Sequence, residues 1–258
     1  MKASTLVLSF VVAGMLNIPA ASAASNYGYM SANGAEPWGT STNIQAMDAA
    51  FGAGQWDRVN FGDAYSGYQF LYVDGGDGTA SDFVNWVAAN QPSLETYVNG
   101  GGRLFLNAAT WDQSTFPLLF GATSTEQGVG YSSYGYAVDS NHALFANGAG
   151  VSWQGNWFSH NAISVGGGFT TFITGDNGQT ILAGGTFGDG YLMLGGQTNT
   201  NFHSSVNGSN PFQLRVNELQ YVAGAVPEPE TYAMLLVGLG LLGLQVRRKA
   251  RDELAIDG

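Results

Sequence analysis

No cysteine occurs in the 258 residues. That excludes a disulfide scaffold, a thiolate metal site and any cysteine nucleophile. Charge is scarce as well. Asp, Glu, Lys and Arg make up 10% of the chain, well under the roughly 25% of an ordinary soluble domain. Only 8 residues are basic against 19 acidic, for a formal charge of −11. No basic stripe exists to neutralise phosphates, so nucleic acid is excluded as a partner. Proline is low at 7, while aromatic residues reach 13%. A disordered polyelectrolyte lacks such side chains, so a core is expected. Glycine is abundant at 38 residues, about twice its ordinary share, and reads as the turns and caps of a compact domain.

The two ends differ from the middle. Met1-Lys2 is followed by an apolar run from Leu6 to Leu16, then Pro19 and the small-residue site Ala21-Ser22-Ala23. This order reads as a signal peptide over 1–23, calling for the Sec machinery and signal peptidase. At the other end, Val226-Pro227-Glu228-Pro229-Glu230 precedes an uncharged run from Thr231 to Val246. The cluster Arg247-Arg248-Lys249-Ala250-Arg251 then stops it. At 1.5 Å per residue the uncharged run spans about 24 Å as a helix, slightly short of a bilayer core. A transmembrane helix is expected over about 231–246, with the basic cluster cytoplasmic by the positive-inside rule. Residues 252–258 would form a cytoplasmic tail containing three acidic residues.

These residues, over 225–251, resemble the PEP-CTERM sorting signal of Gram-negative bacteria. The resemblance implies recognition by exosortase through Pro227, Glu228 and Pro229, backed by Arg247, Arg248, Lys249 and Arg251. It implies transient anchoring in the inner membrane, then release to the cell surface or an extracellular exopolysaccharide and biofilm matrix.

The body, residues 24–224, is one domain by length. Between 24 and 226 it carries three arginines, Arg58, Arg103 and Arg215, against fourteen acidic residues. Acidity of this kind disfavours anionic partners. Tyr27–Met30 suits a first strand. Ser41 or Thr42 can cap a helix carrying Ile44, Met47, Ala50 and Phe51, with Gly52 past its end. Trp56–Phe61 alternates like a strand. Tyr68–Val73 is a continuous apolar run before Asp74-Gly75-Gly76, the mark of a strand buried on both faces. Ser81 would cap a helix through Ala89, and Pro92 would open a second short helix bearing Leu94, Tyr97 and Val98. Asn99 and three glycines end it, and Arg103–Asn107 returns as a buried strand. This is a βαβ unit, for which a right-handed crossover is expected. Phe169–Ile173, Thr180–Ala183 and Tyr191–Leu194 read as further strands, with an Asn177-Gly178 hairpin turn. Asn210 and Pro211 open a last helix that Gly224 closes. Ala109–Val165 is aromatic and irregular, and its strands cannot be ordered from pattern.

The run of motifs YQFLYVDGG (Tyr68–Gly76), LETYVNGGGRLFLN (Leu94–Asn107), NHALF (Asn141–Phe145), the hairpin Thr170–Gly185, GYLMLGG (Gly190–Gly196) and NPFQLRVNELQYVAG (Asn210–Gly224) resembles the glutamine-amidotransferase-like, flavodoxin-like α/β fold. It is nearest to the ThuA-like branch. The resemblance implies a single, mainly parallel sheet flanked by helices, with an antiparallel hairpin. Family members place a catalytic Cys on a strand-to-helix elbow. Here the elbow is Asn107-Ala108-Ala109-Thr110-Trp111, without a nucleophile.

Ligands of open α/β sheets bind beyond the carboxyl ends of the strands. Asp74, Asn107, Trp111, Gln197, Thr198 and His203 could gather there. Amide, hydroxyl and aromatic side chains suit sugars. His142 reads as structural, and His160 follows Trp157-Phe158-Ser159. Asp74–Gly78 has the wrong spacing for an EF-hand, and no Walker or G-x-S-x-G signature occurs. No metal, catalytic or cofactor site is expected. Three functions stay open: a non-catalytic, carbohydrate-binding surface protein; a ThuA-like hydrolase acting on carbohydrate, with Asp74 and His203 as acid and base; and a purely structural surface component.

Overall fold

A computed structural model describes residues 26–32, 35–111, 115–126, 131–198 and 210–224. The expected signal peptide and the whole C-terminal signal, with its 231–246 helix, lie outside the described residues. Among those described, no helix is long and apolar enough to cross a membrane.

The chain runs β1 (Tyr27–Ser31), α1 (Thr42–Phe51), β2 (Asp57–Asn60), β3 (Phe70–Asp74), α2 (Ala80–Asn99), β4 (Arg103–Asn107), β5 (Phe116–Pro117), β6 (Thr123–Thr125), β7 (Ser132–Ala137), β8 (Ser152–Ser159), β9 (Ala162–Ser164), β10 (Thr170–Thr174), β11 (Thr180–Phe187), β12 (Gly190–Gly195) and α3 (Pro211–Ala223). A nine-stranded sheet has the order β2-β1-β3-β4-β12-β11-β10-β7-β8. Strands β2, β1, β3, β4 and β12 are mutually parallel. From β12 outward every pairing is antiparallel. The antiparallel part is thus larger than one hairpin, because the aromatic stretch after β4 supplies two more strands, β7 and β8. A separate three-stranded sheet, β5-β6-β9, comes from the same stretch.

Side-chain alternation splits the core in two. Phe70, Tyr72 and Phe105 point to one face, where they meet Met47 of α1 and Leu214 and Leu219 of α3. Leu71, Val73, Leu104 and Leu106 point to the other, against Phe83, Trp86, Val87, Leu94 and Val98 of α2. Both faces of the parallel strands are covered, which explains why Tyr68–Val73 reads as an unbroken apolar run. Each such side chain, fully buried, contributes about 1.5–3 kcal/mol.

Two expectations need correction. The two helices expected around Pro92 are one 20-residue helix, α2, with Pro92 inside it. Proline removes one backbone bond from a helix interior. The apolar face from Phe83 to Val98 lies against the sheet on both sides of Pro92, and that burial outweighs the missing bond. Nor does Ser81 cap it: the helix begins at Ala80 after Thr79, with no side-chain cap. The last helix follows its signals closely. Asn210 Oδ1 accepts from the Gln213 amide at 3.1 Å, and Gly224 closes α3 in the left-handed conformation at φ 72°.

Candidate functional site

The carboxyl ends of β3, β4 and β12 carry a buried polar frame. Asp74 is 2% exposed. Its Oδ2 accepts from Tyr72 Oη (2.6 Å), Asn107 Nδ2 (2.9 Å) and Asn43 Nδ2 (3.2 Å), and its Oδ1 from the Gly76 amide (2.8 Å). Burial pushes the Tyr72 hydroxyl well above the ordinary tyrosine range, and the Asp74 carboxylate adds to this, so Tyr72 stays a donor. Asn107 then joins β4 to the segment after β12. Its Nδ2 donates to the Gln197 carbonyl (3.0 Å), and its Oδ1 accepts from the Gln197 amide (3.3 Å). Gln197 Nε2 donates to Glu218, whose partner Arg215 lies 5.2 Å over the Tyr72 ring and 5.0 Å over Phe105. Arg215 and Glu218 are also buried. Buried charges persist only when paired and hydrogen-bonded in this way.

Above this frame sits an aromatic cluster centred on His160. The His160 ring lies 4.7 Å from Trp38, 5.1 Å from Trp111 and 5.6 Å from Tyr131. Tyr131 in turn packs 4.8 Å from Trp157. Trp111 and Trp157 keep 40% and 39% of their surface open, while His160 keeps 2%. The Thr110 carbonyl accepts a hydrogen bond from the imidazole. Nδ1 has no partner, so Nε2 is the donor and Nδ1 carries a lone pair. Burial lowers the His160 pKa to about 4, outweighing the nearby Asp77 carboxylate. The ring is therefore neutral at neutral pH.

The backbone around this cluster is strained. Trp38 (φ 61°), Asp77 (φ 45°) and Trp157 (φ 62°) are three of the five non-glycine residues in left-handed conformation among the described residues. Bulky side chains rarely adopt it, and such strain collects where surrounding structure over-determines it, often at functional sites. Here the determinants are visible. Gly76 leaves room for the Trp38 indole, whose Nε1 would lie 2.5 Å from a Cβ at that position. The register of β7 on β8 jumps between Ser132↔Ser159 and Tyr134↔Gln154. Gly155–Phe158 therefore bulge out opposite Ser133, and a bulge re-aims side chains. Thr198 clamps that bulge: its Oγ1 donates to the Trp157 carbonyl (2.5 Å) and its amide to the Phe158 carbonyl (3.0 Å).

The residues singled out from sequence thus occupy two layers. Asp74, Asn107, Gln197 and Thr198 are buried and hold the frame, and Trp111 stands in the open aromatic layer. His203 lies outside the described residues. His142 caps a short turn, its Nδ1 accepting from the Leu144 amide at 3.3 Å. Pattern reading missed Trp38, Tyr131, Trp157 and His160 as a group. For Tyr131, Trp157 and His160 the only signal was the aromatic density of the stretch that could not be ordered, and Trp38, outside that stretch, had none. Among the described residues, no group of three or more His, Asp or Glu side chains converges to hold a metal ion.

Residues 225–249 match the PEP-CTERM protein-sorting motif. The motif implies an exported protein that exosortase processes and sorts to the cell surface. No curated protein matches the chain. Among solved structures, it is similar to a protein from Thermoplasma acidophilum assigned as a GMP synthase component, at 13% identity and TM-score 0.50, over 77% of this chain and 94% of that one. It also aligns with a glutamine amidotransferase from Thermotoga maritima (11% identity, TM-score 0.44, 69% of this chain and 74% of that one). A third alignment is with α-L-fucosidase isoenzyme 2 from Paenibacillus thiaminolyticus (12%, TM-score 0.49, 78% and 33%). The first of these supports an amidotransferase-like fold for the body. At such identity the likeness speaks for fold alone.

Proposed function

We propose that the domain is a non-catalytic carbohydrate-binding module, carried to the cell surface or its exopolysaccharide matrix by its sorting signal. One observation carries this reading: Trp111 and Trp157 stand open beside half-buried Trp38 and Tyr131 and the buried, neutral His160. Open indole faces stack on the C–H face of a sugar ring, and nearby polar groups fix its orientation. The chain has no cysteine, so the amidotransferase thiol chemistry is absent from it. Asp74, whose carboxylate accepts from Asn107 of the elbow, takes four hydrogen bonds inside the frame.

Affinity electrophoresis of the body in gels cast with neutral polysaccharides tests this. Retardation is expected for the native domain, and Trp111→Ala should weaken it about tenfold, the size of one lost aromatic contact. Equal mobility of both proteins in every gel would sink the proposal.

A further inference from the structure

A second aromatic feature lies on β7, next in the chain to the cluster. Tyr131, a member of the cluster, directly precedes β7, and Tyr134 and Tyr136 follow at three and five residues. At strand rise they lie about 10 and 17 Å further along. Their rings are parallel to within 7°, with centroids 6.1 Å apart. The alternation of the strand sends them outward, because Gly135 between them faces the core. A Cβ there would lie 2.2 Å from the Phe158 ring. Tyr136 is 43% exposed. The Tyr134 ring is held by its cross-strand neighbour, Gln154, whose Nε2 donates to Tyr134 Oη at 2.7 Å.

Charge narrows what such a row can take. The three arginines of the body are committed elsewhere. Arg58 pairs with Glu36, Arg103 donates to the Val222 carbonyl at 3.2 Å, and Arg215 is buried beside Glu218. The carboxylates bonded along this stretch are Glu126, which accepts from Tyr131 Oη at 3.0 Å, and Asp176, which accepts from the Ser133 amide at 3.0 Å. Among the described residues, no cation at the row could pair with a uronate or a sulfate, and Asp176 would repel either. The flanking groups are the Gln154 amide and the Ser152 hydroxyl, cross-strand from Tyr134 and Tyr136, which suit hydroxyl-rich ligands.

We propose that the ligand is an uncharged, extended polysaccharide, bound as a chain that starts on Trp111 and Trp157 and runs along β7 over Tyr134 and Tyr136. This rests on the carbohydrate-binding reading of the cluster and adds to it the length and charge of the ligand. Titration calorimetry against short and long oligosaccharides of cellulose, xylan, mannan and dextran is the test, with polygalacturonate and chitosan as charged controls. Affinity should rise with length for at least one neutral series. Tyr136→Ala should lower affinity for the long member about fivefold and leave the short one unchanged. Trp111→Ala should lower both. If Trp111→Ala weakens binding but length and Tyr136 have no effect, the chain-binding inference fails and the cluster reading stands. If no neutral ligand binds, or Trp111→Ala changes nothing, both fail. Binding confined to chitosan and abolished by salt would mark general charge attraction and also overturn it.

Discussion

The parallel and antiparallel halves of the main sheet meet the same edge of the molecule and treat it in opposite ways. On the β3 and β4 side, every oxygen of the Asp74 carboxylate is occupied, Arg215 faces Glu218, and the whole frame is closed to solvent. On the β7 and β8 side, the backbone is left-handed at Trp157 and its indole stands open, beside that of Trp111 from the turn after β4. The seam between them is short. The segment after β12 bonds back to β4 through Asn107 and forward to β8, where the His160 amide donates to the Gly196 carbonyl at 2.9 Å. A buried polar layer thus forms the base, and a strained, partly open aromatic layer is held on top of it.

This contrast can be broken at its strongest point first. Arg215→Met removes the cation that faces buried Glu218 and should cost about 3–5 kcal/mol, because an uncompensated buried charge remains. Urea unfolding measures this, and a loss under about 1 kcal/mol would mean that the frame is not a structural unit. Acid reaches the other half. The His160 pKa is lowered to about 4 in the native state, against about 6.5 when unfolded. Between those values the unfolded chain binds the proton and the native one does not. The neutral-histidine contribution is therefore complete above about pH 6.5 and is lost as pH falls towards 4, up to about 3 kcal/mol in all. Stability curves of the native protein and His160→Gln over that window should differ in slope, and parallel curves would refute the assignment. The smallest effect belongs to Trp111→Ala. Its open ring should leave stability within about 0.5 kcal/mol, so weakened sugar binding in that variant would not come from unfolding.

Much of the fold outside the aromatic stretch is legible in the chain itself. Continuous apolar runs before glycine clusters mark β3 and β4, the Asn177-Gly178 turn marks the β10–β11 hairpin, and Asn210, Pro211 and Gly224 mark the limits of α3. These signals are local: each depends on residues within a few positions of one another. Pro92 misled for the same reason. Its local effect breaks helices, and only the two-sided burial of Phe83 and Leu94 keeps α2 whole. The aromatic layer left no periodic trace. Trp38, Trp111, Tyr131, Trp157 and His160 come from four separate stretches, and a bulge, a left-handed turn and a clamp by Thr198 bring them together.

Composition and local pattern alone determined the absence of a thiol, the acidity of the body, the sorting signal and the alternation of elements along the parallel strands. Tertiary structure alone decided that Asp74 and Gln197 lie inside while Trp111 and Trp157 stay outside. Burial is a property of what lies across a sheet edge, and long-range register, such as the jump of β8 against β7, sets it.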